Sequence, residues 1–312
     1  MFRCTVQFVF VFLLCCTAAG SLQAGEEQEK KEKVIAFAQD TLANDFRRAQ
    51  IVEVRDALAE HAGIKFVYSD AKGQTSLLIW HIEQFIADQV DLLILGTNDP
   101  DAVVPVVTKA YDLGIPVIIL DRGISGEKYT CFINSDNLRI GAIGAEYTAG
   151  LINGRGTVLL LEGLPKADVT RLRTRAFLDV ISKYPDIKMI RRTGNYLRKD
   201  TIFIMEKLLT LGIQFDAVFS QSDSMLSGVR SAMTRHGLDP SKIFMTGCDY
   251  TSEAQEAIRN GTQTASILFP LGGRKTVEVA LKILNGEEVP KHISLPVRLV
   301  TKDDVDQVSP IF

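Results

Sequence analysis

From Val34 onward, short apolar runs alternate with segments of helical periodicity, and this alternation constrains the fold more than any other feature of the chain. The runs are Val34 to Ala38, Ile64 to Tyr68, Leu92 to Leu95 and Val117 to Leu120, then Val158 to Leu161, Ile187 to Ile190, Ala217 to Phe219 and Ile243 to Met245. Most are apolar at consecutive positions, the pattern of strands buried on both faces of a parallel sheet. Between them lie amphipathic stretches such as Phe46 to His61, Leu77 to Gln89 and Ile202 to Leu211. Repeated βα units predict a doubly wound, Rossmann-like α/β architecture. The plan runs twice, with a break near Asn134 to Asn137 followed by a helical pattern over Leu138 to Ile152, and it closes with a helix over Arg274 to Leu284 and a strand over Ile293 to Val300. A chain of 312 residues exceeds what one core usually serves. Two similar lobes are expected, residues 34–135 with 270–296 and residues 136–269 with 297–312. No glycine- or serine-rich linker separates them, so continuous strand-like crossings that form a hinge are expected, with a ligand cleft between the lobes.

The first 24 residues carry one charge, Arg3, then an apolar stretch from Val9 to Leu14 and small residues from Thr17 to Gly20. This is the layout of a secretory signal peptide, and the apolar run is shorter than the ~20 residues that span a bilayer. Cleavage near Ala24 is expected, leaving residues 25–33 as a charged, solvated tether and placing the chain in the periplasm. Neither Cys15 nor Cys16 follows a small residue, as a lipoprotein signal would require. After cleavage only Cys131 and Cys248 remain, both in apolar surroundings where free cysteine behaves as a small hydrophobe. The net charge of −3, with mixed signs, gives no basic face for nucleic acid.

In open α/β sheets, ligands bind beyond the carboxyl ends of the strands. The polar residues that follow the apolar runs are Asp40, Ser69 with Asp70, Thr97 with Asn98, and Asp121 with Arg122, then Glu162, Asn195 with Tyr196, Ser222 with Asp223, and Asp249 with Tyr250. Carboxylates accept from two hydroxyls at once and guanidinium donates in a planar fork, which suits a polyhydroxylated ligand. Phe46, Tyr196 and Phe269 can cover the C–H face of a sugar ring. An Asp after a strand is often a helix N-cap instead. Asp99, Asp168 and Asp223 are expected to be caps, whereas Asp121, followed by Arg122 and Gly123, fits that role poorly.

At these residues the sequence resembles the ribose/galactose-type periplasmic sugar-binding proteins, the type I substrate-binding family of ABC transporters. The resemblance runs through Thr41 to Phe46, Ile115 to Arg122, Asn134 to Asn137, Arg171 to Arg173, Ser220 to Met225 and Gly247 to Asp249, in order and across nearly the whole mature chain. It implies two lobes joined by a three-stranded hinge that close on a monosaccharide-like ligand and deliver it to a membrane permease, with no cofactor. It also implies site roles: Asn44 and Phe46 as polar and stacking contacts, Asp121 with Arg122 as a clamp on hydroxyls, Arg171 as an arginine from the second lobe, Tyr196 as a stacking aromatic, and Asp249 as the acid beside the hinge. Four positions depart from the ribose-type pattern: Asp40, Arg47, Ser222 and Phe269. Asp40, Ser222 and Phe269 join the candidate ligand contacts, and the role of Arg47 is left open. Ribose itself is thereby placed in doubt, and a small neutral sugar, a furanose, a polyol or a sugar-derived signal is the expected ligand.

Gly272 to Thr276 lacks the glycine spacing of a P-loop and is expected to open the last helix. His61, His81, His236 and His292 have no metal-ligand spacing, Trp80 is expected to pack within a helix, and no G-x-S-x-G elbow is present. A monomeric binding protein without enzymatic activity is the leading expectation. The alternative is a ligand-sensing partner of a sensor kinase or chemoreceptor. A glycoside hydrolase built on Asp40 and Asp121 is a third reading. A repressor is set aside because a signal-like segment stands where a basic helix-turn-helix would be.

Overall fold

The computed structural model describes residues 1–2 and 32–312; the signal-peptide and most of the tether assignments lie outside the described residues. In the first lobe, strands β1 (Lys33–Gln39), β2 (Ile64–Asp70), β3 (Leu92–Gly96), β4 (Val117–Leu120) and β5 (Cys131–Ser135) are connected through helices α1 (Asp45–Leu58), α2 (Thr75–Ala87) and α3 (Val104–Asp112). The second lobe runs α4 (Asn137–Leu151), β6 (Arg155–Glu162), α5 (Asp168–Ile181), β7 (Asp186–Thr193), α6 (Arg198–Thr210), β8 (Ala217–Ser220), α7 (Asp223–Arg235), β9 (Phe244–Asp249), α8 (Ser252–Arg259) and β10 (Ala265–Leu268). The chain then returns to the first lobe for α9 (Gly273–Leu284) and β11 (His292–Leu295), and to the second for β12 (Arg298–Thr301).

Each lobe is built on one six-stranded sheet, ordered β11-β5-β4-β3-β1-β2 and β12-β10-β9-β8-β6-β7. The two orders match position for position. All pairings are parallel except that of β12 with β10. β3, β4 and β8 are buried at every position, which is why they read as unbroken apolar runs. The final strand expected over Ile293 to Val300 is two strands, one in each sheet, because the third crossing passes between Leu295 and Arg298. β5 and β10, short strands beside the other crossings, were not among the predicted runs.

In the first lobe, one core lies on the α2–α3 side of the sheet and another on the α1–α9 side. The second lobe has corresponding cores, but one of them takes in Phe46 from α1 of the first lobe together with Phe269 and Leu271 at the hinge. Helix α4 is capped by Asp136, whose side chain accepts from Arg139 N at 3.0 Å. It lies close against α5 and β8 because its facing positions lack side chains: a Cβ at Gly141 would collide with the Arg173 carbonyl, and one at Gly144 with the Phe219 ring. This close approach fixes the height of α5 above the sheet, and with it the position of Arg173. Gly272, at φ 83°, opens α9. Cys131 and Cys248 are buried and unpaired. Trp80, expected to pack, is 55% exposed on α2.

Candidate ligand-binding site

The strand ends that face one another across the lobes share a strained backbone. Asp121 after β4, Asn195 and Tyr196 after β7, and Asp249 with Tyr250 at the end of β9 all have positive φ, between 55° and 103°. Left-handed conformations cost non-glycine residues on the order of 1–3 kcal/mol each, and they persist where the surroundings over-determine them. Here they turn Asp121, Tyr196 and Asp249 into one cavity.

That cavity is lined by Asn44, Phe46, Arg47, Asp121, Arg122, Val169, Arg173, Tyr196, Ser222, Asp249 and Phe269. The wall from the first lobe is a lattice of interlocked ion pairs. Arg47 Nη2 donates to Asp121 Oδ2 at 2.8 Å, and Arg122 Nη1 to Asp40 Oδ2 at 2.8 Å. Arg47 also donates to Gln50 Oε1 at 2.8 Å, and Gln50 Nε2 donates to the hinge carbonyl of Leu271 at 2.8 Å. Arg47 is 1% exposed. Burial, then the neighbouring charge of Arg122, lowers its pKa below the usual guanidinium range.

The wall from the second lobe is arranged differently. Arg173 Nε donates to Asn137 Oδ1 at 2.8 Å and its Nη1 to the Gln221 carbonyl at 3.0 Å, both neutral acceptors. Its guanidinium lies 4.7 Å from the Phe269 ring centre, and Phe269 meets Phe46 at 5.5 Å. Burial, then the charge of Asp223, pushes the Asp249 carboxyl well above the usual range. Behind it, Asp223 is raised to about 6, chiefly by burial, although it accepts from Ser266 Oγ at 2.6 Å, Gln263 Nε2 at 2.7 Å and Tyr250 N at 2.7 Å.

Direct contacts join the walls. Asn44 Nδ2 donates to the Tyr196 carbonyl at 2.9 Å, Ser224 Oγ to Asp45 Oδ2 at 2.9 Å, Gly123 N to Asp168 Oδ2 at 2.9 Å, and Lys166 Nζ to Asp99 Oδ2 at 3.0 Å. The lobes are therefore closed over the cavity.

Of the ten residues expected in the site, the structure brings eight together: Asn44, Phe46, Asp121, Arg122, Tyr196, Ser222, Asp249 and Phe269. Two stand elsewhere. Asp40 lies behind the first wall, 1% exposed, holding Arg122. Arg171 points outward from α5 and donates to the Lys166 carbonyl at 2.5 Å. Arg173 lines the cavity instead, because it shares the buried stripe of α5 with Val169, Thr170 and Phe177. That stripe was readable at i, i+4 spacing from Val169 to Phe177, as was the placement of Arg47 beside Gln50, Ile51 and Val54 on the buried side of α1. Some expected roles also change. Asn44 is the N-cap of α1, its Oδ1 accepting from Arg47 N at 3.1 Å, so both ends of its amide are engaged. Ser222 caps α7. The Tyr196 ring is covered by Arg122 at 5.3 Å. Asp99, Asp168 and Asp223, expected as caps, cap no helix: Val103, Ala167 and Ser222 hold the cap positions of α3, α5 and α7. Among the described residues no cluster of His, Cys, Asp and Glu is arranged to hold a metal ion.

Comparisons with known proteins agree with this geometry. The periplasmic binding protein domain matches residues 35–288. The ribose import binding protein of Bacillus subtilis is 29% identical over 278 residues, covering 88% of each chain. A solved ABC transporter solute-binding protein from Bacillus halodurans with bound myo-inositol superposes with a TM-score of 0.84 at 26% identity, covering 90% of this chain and 98% of the other. The fructose-binding periplasmic domain of a hybrid two-component system superposes with a TM-score of 0.82 at 27% identity, covering 88% and 92%. With its paired six-stranded sheets and a polar cavity between them, the chain belongs to the periplasmic binding protein family.

Proposed function

We propose that this protein captures a small neutral sugar, furanose or polyol in the inter-lobe cavity and presents the closed form to the permease of an ABC transporter. The observation that carries this reading is a polar cavity closed between the lobes and lined from both of them by guanidinium and carboxyl groups. Carboxyl groups at Asp121 and Asp249 accept from ligand hydroxyls, while Arg122 and Arg173 donate to ring and hydroxyl oxygens. Phe46 and Phe269 supply an apolar face for C–H groups. Because the cavity needs both lobes, the ligand shifts the open–closed balance toward closure, and a partner reads that state. The functional ligand contacts in this reading are Phe46, Asp121, Arg122, Arg173, Asp249 and Phe269, with Asn44, Tyr196 and Ser222 shaping the cavity and Arg47 and Asp40 holding the first wall in place. No step of this reading is catalytic.

A sensor role is the second reading, favoured by the likeness to the fructose-binding domain of a two-component system. A thermal-shift screen of the mature chain against pentoses, hexoses, furanoses and polyols tests the shared part. A ligand at a hundred times its dissociation constant adds ~2.7 kcal/mol of stability. One strong class-specific shift is the expected result, and a flat response across the panel contradicts the sugar-binding reading. Association of the liganded form with a permease, or with a receptor alone, separates the two roles.

A further inference from the structure

Outside the cleft, the second lobe carries a separate concavity of about 390 Å³ between the outer face of α5 and the ends of β6 and β7, lined by Arg171, Arg175, Arg191, Thr193 and Glu162 among others. Glu162 is the one acid in that lining, and it is already engaged, accepting from Arg191 Nη2 at 2.7 Å and Thr174 Oγ1 at 2.9 Å. Arg171 bonds only a neutral carbonyl, that of Lys166. Arg175 has Asp179 at 3.7 Å, with both side chains at least 70% exposed. Three guanidinium groups thus surround one neutralised carboxylate, leaving surplus positive charge in a walled recess, where a field is focused rather than dispersed. Forked guanidinium groups in such a recess match carboxylates bidentately.

The recess adjoins the seam between the lobes. The Lys166 carbonyl receives Arg171, while the Lys166 ammonium crosses to Asp99 of the first lobe. The rim it meets is acidic: Asp99 is followed by Asp101, which accepts from Ser125 Oγ. Closure therefore sets a basic recess beside an acidic rim at a fixed spacing. A partner that bridges the seam must carry the reverse pattern.

We propose that this arginine-lined recess is a docking site for an acidic segment of the protein partner, its carboxylates entering among Arg171, Arg175 and Arg191. The proposal rests on the reading that a partner recognises the closed form. The test uses the mature chain and a fluorescent hexaglutamate peptide as probe, with inorganic phosphate as a competitor. The expected result is peptide binding that weakens with salt, falls at least tenfold in an Arg171→Gln/Arg175→Gln variant, and leaves cleft-ligand affinity within twofold. Absent peptide binding, or binding unchanged in the variant, overturns the proposal. Displacement of the peptide by phosphate at comparable affinity also overturns it, marking a small-anion site. Failure of the sugar screen leaves the peptide result untouched, so the two readings fail separately.

Discussion

The two walls of the cleft perform similar work with opposite electrostatic construction. In the first lobe, Arg47 and Arg122 are each matched by a carboxylate at 2.8 Å, so the wall is charge-balanced before any ligand enters. In the second, Arg173 rests on neutral acceptors, and Asp249 is held by burial toward its protonated form. A balanced wall is stiff and intolerant of losing one member. A wall of neutral contacts loses less when trimmed, but its carboxyl groups tie it to pH. The difference predicts distinct responses to substitution in each lobe.

The largest effect is expected at Asp121→Ala. Removing one partner of a buried pair strands the other, at about 3–5 kcal/mol. Arg47 would keep only Gln50 Oε1 and the more distant Asp40 carboxylate at 3.9 Å, and the ligand would lose an acceptor, so titration calorimetry should show ligand affinity reduced by at least a hundredfold. Arg173→Met should cost less, about 1–3 kcal/mol, because only neutral acceptors lose a donor. The same titration then shows a ten- to hundredfold loss. An equal or larger loss than at Asp121 would erase the contrast between the walls.

Asp223 sharpens the comparison through pH. Its folded-state pKa of about 6 lies above its ordinary value near 4, so the folded state holds the proton more tightly than the unfolded one. Its contribution to stability is full below about pH 4 and is lost as pH rises through 6, on the order of 2–3 kcal/mol in all. Asp223→Asn should flatten that portion of the melting-temperature profile between pH 4 and 6. A profile of unchanged slope would show that the acidic network is not titrating there. The smallest effect is expected at Arg171→Ala, where ligand affinity should stay within twofold, since the side chain faces away from the cavity.

The doubly wound fold was legible because its strands are buried on both faces, leaving runs such as Leu92 to Leu95 with no polar interruption. The strands beside the crossings were harder to read. β5 alternates between buried and half-buried positions, and β11 and β12 are short and partly exposed, so apolar runs do not mark them. Strand-end residues identified most of the cavity, since their placement follows from topology alone. Arg171 matches the family motif but not the helical phase of the buried face: two residues along α5 is about 200° of rotation, enough to move a side chain from the core face to solvent. Asp40 shows another limit. Its position after β1 is that of a ligand contact, yet Arg122 claims its carboxylate, a pairing across 82 residues that no local pattern announces.

The central claim is that a small sugar or polyol closes the two lobes through the Asp121–Arg47 wall. Small-angle X-ray scattering of the mature chain, titrated with the strongest hit of the thermal-shift screen, tests it most directly. The account predicts a saturable decrease in radius of gyration in the wild-type chain and none in Asp121→Ala at the same ligand concentration. An unchanged radius in a wild-type chain shown by calorimetry to be saturated, or equal compaction in the variant, would contradict it.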